Sequence, residues 1–108
     1  MKTKVVCLES PYAGDVENNL KYARRAMRDS MERGEAPFAS HLLYTQVLND
    51  DNPIERNAGI ALGYAWMDYA DEVVVYKDYG ISEGMMLAIE RAKSNDIPVI
   101  YREIGRNQ

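Results

Sequence analysis

Val73-Val74-Val75-Tyr76-Lys77-Asp78-Tyr79-Gly80-Ile81-Ser82-Glu83-Gly84-Met85 is the stretch that decides the fold. Its first four residues, three valines and a tyrosine, are the clearest strand in the chain. Gly80 permits a backbone turn that other residues resist. Ser82 then offers a hydroxyl to cap a helix running through Lys93. A strand, a short loop and a capped helix form one half of a strand-helix-strand unit, and Pro98-Val99-Ile100-Tyr101 supplies the closing strand.

The same unit recurs upstream. Val5-Val6-Cys7-Leu8 is a second apolar run, stopped by Ser10-Pro11-Tyr12-Ala13-Gly14. Asp15 is placed to cap a helix whose apolar stripe is Val16, Leu20, Ala23, Met27 and Met31, with Gly34 at its C-terminal end. Pro37-Phe38-Ala39 is a short strand candidate, and Ser40 to Tyr44 reads as a loop. Asn52-Pro53 opens a further helix, a capping residue followed by proline at the first position. Its expected buried stripe is Ile54, Ala58, Ala61, Leu62, Ala65 and Tyr69. Gly59 and Gly63, four residues apart, suit close helix packing.

The order β-α-β-α-β-α-β predicts an α/β fold: a parallel sheet with helices on both faces. At 108 residues the chain has room for one domain, residues 1–108, and 46% hydrophobic content is enough for a core. A formal net charge of −4 argues against a nucleic-acid polymer as partner, since that needs a broad basic face. The single cysteine, Cys7, excludes an intrachain disulfide and suits a reducing compartment. The N-terminal apolar run is too short for a signal peptide or a membrane span. The expected location is therefore cytoplasmic, with no membrane partner.

Ligands of such sheets bind beyond the carboxyl ends of the strands. The candidate site is thus built from three loops, Glu9 to Asp15, Ser40 to Tyr44 and Lys77 to Gly84. In the first, Ser10, Tyr12 and Gly14 either cradle a ligand at a helix N-terminus or form an ordinary strand-to-helix turn. His41, the only histidine, either bonds a ligand or caps a helix. A metal site is not expected, because no second histidine or ligand-spaced acidic pair accompanies it. Ser82 and the N–H groups after it suit an anion, though capping alone also explains the serine. Arg56 either awaits a partner charge or pairs on the surface with Glu55 or Asp51. A phosphorylated receiver-like domain would need an acidic cluster after the first strand to hold Mg²⁺, and only Glu9 stands there.

Four segments together resemble the nucleoside 2-deoxyribosyltransferase superfamily, including its small 5′-monophosphate N-glycosidase and phage or bacterial branches. They are Ser10-Pro11-Tyr12-Ala13-Gly14, Ser40-His41-Leu42, Pro53-x-Glu55-Arg56-x-x-Gly59, and Asp78-x-Gly80-Ile81-Ser82-x-Gly84-Met85. The resemblance implies a flavodoxin-like three-layer sandwich with a sheet of four or five parallel strands, assembled as a homodimer or larger homo-oligomer. It implies a small-molecule nucleoside or nucleotide ligand, no cofactor, and cleavage or exchange of the bond between a base and C1′ of a (deoxy)ribose. By the same resemblance Tyr12 contacts sugar or base, Asp78 holds sugar hydroxyls or assists the leaving base, and Ser82 meets a 5′-phosphate. Ser10, Gly14, His41, Gly84 and Met85 complete the binding set.

The resemblance also implies a nucleophilic glutamate on the helix after Ser82, attacking C1′ as in retaining glycosidases. That position holds Ala88. Glu90 lies about 200° around the helix from it and Glu83 about 140° away, so neither substitutes readily. Two readings of Ala88 follow: a deliberate exchange of glutamate for alanine in an enzyme, or a natural protein that binds a nucleotide, for instance to sequester a signal, without cleaving it.

Overall fold

A computed structural model describes residues 2–106. Strands β1 (Val5–Glu9), β2 (Ala36–Phe38), β3 (Glu72–Tyr76) and β4 (Val99–Arg102) alternate with helices α1 (Val16–Glu32), α2 (Ser40–Leu43), α3 (Pro53–Met67) and α4 (Glu83–Ser94). A 3-10 turn, Tyr44–Gln46, follows α2 directly. The sheet has the order β2-β1-β3-β4 and every pairing is parallel. This is the expected flavodoxin-like arrangement, with four strands.

Residue parity along the strands separates two cores. Val6 and Leu8 of β1 and Val74 and Tyr76 of β3 face α1, where they meet Tyr22 and Ala26. Cys7, Val73 and Val75 face the other way, onto Met67 of α3 and Met85, Ala88, Ile89 and Ala92 of α4. The sheet is therefore sandwiched between α1 on one side and the α3–α4 pair on the other. The reversal of strand order falls between β1 and β3, whose register sets Glu9 beside Val75.

The caps are as expected. Asp15 accepts the Asn18 N–H, Asn52 accepts those of Ile54 and Glu55, and Ser82 accepts that of Met85. Gly34 takes a φ of +83° just past the end of α1. Gly63 allows α3 to press on α2, because a Cβ there would lie 2.9 Å from Ser40 Cβ and Oγ.

Two helix faces differ from expectation. On α1 the buried residues are Asn19, Tyr22, Ala23, Ala26 and Ser30, while Met31 is 60% exposed. The helix is rolled by up to one residue from the predicted stripe. Hydrogen bonds decide the roll: Asn19 Nδ2 donates to the carbonyls of Tyr12 and Ala13, Tyr22 donates to Asp78, and Ser30 donates to Glu35. On α3 the predicted stripe is exposed, with Ile54 at 80% and Leu62 at 46%, Tyr69 falls beyond the helix end, and only Met67 is fully buried. A helix apolar on most sides has no single stripe to read. Trp66 ties it to the neighbouring elements, stacking on Phe38 and donating its indole N–H to the Tyr44 hydroxyl. The segment Ser40 to Tyr44, read as a loop, is a short helix running into the 3-10 turn. No described helix is long and apolar enough to cross a membrane.

Candidate functional site

The carboxyl end of β1, the loop after it, α2 and the 3-10 turn behind it, α3 and the start of α4 line a cavity of about 470 Å³. That volume lies within the range of small-molecule sites, and its place at the reversal of strand order is where parallel sheets bind ligands.

Seven of the nine residues singled out in the sequence come together here: Ser10, Tyr12, His41, Ser82, Gly84, Met85 and Ala88 all line the cavity. Ser10 and Ala88 are buried, at 5% and 2% exposure, and Ser82 and Gly84 lie at the exposed rim. Ser10 Oγ and His41 Nε2 share a hydrogen bond of 2.6 Å. Burial lowers the His41 pKa to about 4, so the ring is neutral at pH 7 and joins Ser10 as a polar pair without charge. The loop carrying Tyr12 is held by Asn19 through two backbone carbonyls. Asn19 was not foreseen as a site-building residue; a buried asparagine one turn into a helix that follows a tight loop is the signal for it.

Gly14 and Asp78 stand apart. Gly14, with φ +97°, lines a separate hollow beside the main cavity. Asp78 is on the opposite face of the sheet. Its carboxylate accepts the Tyr22 hydroxyl at 2.7 Å and the N–H groups of Ile104 and Gly105 at 2.8 Å each. Its own N–H donates to Tyr22 Oη, and its carbonyl accepts Arg106 Nε. Burial pushes the carboxyl upward, but these donors outweigh it and hold the pKa below the usual range. Asp78 is thus a clamp fastening the segment after β4 to α1. Asp78→Ala is expected to destabilise the domain by about 2–3 kcal/mol, because buried donors lose a charged acceptor. Urea denaturation measures that loss, and small-molecule binding in the cavity should be unchanged.

The side chain absent from the expected site is Glu9. It shares the parity of Cys7, and so faces α3 and α4 and lines the cavity together with Ala88. Burial raises its pKa to about 8, with neither a hydrogen bond nor a charge contributing. The other lining carboxylates are committed or outlying. Glu55 accepts the Asn49 N–H, Asp50 faces Arg56 at 3.8 Å, and Glu83 is exposed in the first turn of α4. Arg56 thereby pairs with Asp50, not with Glu55 or Asp51. Cys7 lies beneath, its thiol pushed up to about 12 chiefly by burial, which makes it a poor nucleophile. Among the described residues no group of three or more His, Cys, Asp or Glu side chains is arranged to hold a metal ion.

A protein-family model described as a domain of unknown function, DUF7768, matches residues 4–102. No curated protein matches the chain. The family match takes in all four strands and every helix of the sandwich, and the chain accordingly belongs to the DUF7768 family.

Proposed function

We propose that the cavity binds a nucleoside-sized ligand and that the protein acts on the base–C1′ bond, as an N-glycosidase or deoxyribosyltransferase-like protein. The observation that carries this reading is the cavity itself. It has the volume for a nucleoside, tyrosine rings from three elements (Tyr12, Tyr44 and Tyr64) for a base, and a Ser10–His41 pair for hydroxyl groups. The sequence resemblance, drawn from the same loops, supports the same ligand class.

The charges refine the ligand. Glu9, Asp50, Glu55 and Glu83 line the cavity against one guanidinium, Arg56. Burial keeps Glu9 protonated near neutral pH, yet the remaining balance is still acidic and repels a phosphate. An unphosphorylated nucleoside is therefore favoured over its 5′-monophosphate. The N–H groups at the start of α4, beside Ser82 and Gly84, remain the place where a phosphate would be accepted. The exposed apolar residues of α3 suit the homo-oligomer that the resemblance implies.

A second reading rests on Ala88. With alanine where the resemblance implies a nucleophilic glutamate, a protein that binds a nucleoside without cleaving it accounts for the site equally simply. Calorimetric titration with 2′-deoxyribonucleosides, ribonucleosides and their 5′-monophosphates, combined with chromatography for free base, separates the two. Saturable nucleoside binding with release of base supports the enzyme. Binding without release supports a sequestering module. No binding of any of these compounds overturns both.

A further inference from the structure

We infer that Glu9 is the catalytic acid of this site, the carboxyl group that protonates the departing base. The inference rests on the nucleoside reading above and assigns a residue to it.

Strand parity puts Glu9 on the α3–α4 side of the sheet, where it lines the cavity together with Ala88. A methyl group at position 88 occupies little of that space, whereas a longer side chain would compete for it. Glu9 is half-buried at the cavity wall, and its carboxyl makes no hydrogen bond or ion pair with another described residue. The Asp78 carboxylate accepts three hydrogen bonds and Glu35 is locked to an arginine, whereas burial alone shifts Glu9. An uncommitted ionisable group in a cavity costs stability, and such a cost is typically found where chemistry is done. A carboxyl kept protonated by burial near neutral pH can donate a proton, as general acids in apolar pockets do.

The step balances without a further reactant. The C1′–N bond breaks and its electron pair stays on the base nitrogen, which takes the proton from the Glu9 carboxyl. A water molecule adds through its oxygen to C1′ and releases a proton to the Glu9 carboxylate. The products are the free base and the sugar with a C1′ hydroxyl, and Glu9 is again protonated.

The test compares the unaltered chain with Glu9→Gln, which keeps the shape and removes the transferable proton. Base release from a panel of 2′-deoxyribonucleosides and ribonucleosides is followed by chromatography, nucleoside binding by calorimetry, and folding by thermal denaturation. The expected result is base release at least about 100-fold slower in Glu9→Gln, the loss typical of a missing general acid. Binding should be retained, and the variant should be folded. Equal release by both proteins overturns the assignment and leaves the nucleoside reading standing. Binding by the unaltered chain with no release from any member of the panel also overturns the assignment, in favour of the sequestering module. Failure of the unaltered chain to bind any nucleoside overturns the reading beneath it.

Discussion

Replacing Arg102 with alanine is expected to destabilise the domain by about 3–5 kcal/mol, a large part of the roughly 5–15 kcal/mol that holds a domain of this size together. The Arg102 and Glu35 side chains are only 8% and 11% exposed, and the pair is bidentate: Nη1 donates to Oε1 at 2.8 Å and Nη2 to Oε2 at 2.7 Å. Arg102 also donates to the Tyr76 hydroxyl, which donates to Asp29, and Ser30 donates to Glu35. Two strands and α1 thus meet in one network. The alanine variant would leave Glu35 buried without its counter-charge, which costs more than the intact pair contributes. Urea denaturation at pH 7 measures the loss. The hydrogen bond from Arg102 holds the Glu35 carboxyl below its usual range. A depressed carboxyl contributes stability above its unfolded pKa of 4.5 and loses it as pH falls through the folded value. The unaltered domain should therefore weaken in acid, and Arg102→Ala should lack that part of the dependence.

Glu9→Gln should do the opposite and strengthen the fold, by about 2–3 kcal/mol at pH 9. In the unfolded chain the carboxyl ionises near 4.5, whereas burial moves it to about 8 in the folded protein. The folded state thus holds its proton more tightly. The stabilisation from that proton is complete below pH 4.5 and declines between pH 4.5 and 8. Beyond pH 8 a constant penalty remains. Each tenfold difference in proton affinity between the folded and unfolded states is worth about 1.4 kcal/mol, and solvent entering the cavity screens part of it. Glutamine has no charge to bury, so the two proteins should differ at pH 9 and agree at pH 4. Denaturation at both values checks this, and equal stability at pH 9 would mean that Glu9 is not held in its neutral form. A substitution that stabilises the fold while removing base release would separate the chemical role of Glu9 from any structural one.

The sheet was legible because its strands are continuous apolar runs and each long helix opens on a capping residue: Asp15, Asn52 or Ser82. The cavity loops were legible because they follow those strands. Helix faces were harder. The roll of α1 is set by Asn19, Tyr22 and Ser30, polar partners whose value depends on Tyr12, Asp78 and Glu35 elsewhere in the chain. Periodicity does not reveal the exposure of α3, because apolar residues surround the helix and select no face.

Asp78 and Glu9 are the most instructive pair. Glu9 ends β1 and Asp78 lies just past β3, and the resemblance singled out Asp78. Parity reverses the choice: Asp78 continues the series of Val74 and Tyr76 toward α1, while Glu9 continues that of Cys7 toward α4. Parity becomes useful only once the face that holds the cavity is known, and the packing of α3 and α4 decides that face.

A nucleoside site in the cavity between β1, α2, α3 and α4 is the claim on which the rest depends. Backbone amide NMR of the labelled protein during titration with 2′-deoxyribonucleosides tests it most directly. Saturable shifts are expected at Glu9, Ser10, Tyr12, His41, Tyr64, Ser82 to Met85 and Ala88, with Asp78 and the segment Ile104 to Arg106 unmoved. Shifts centred on Asp78 and Tyr22, or no saturable shift at all, would contradict it.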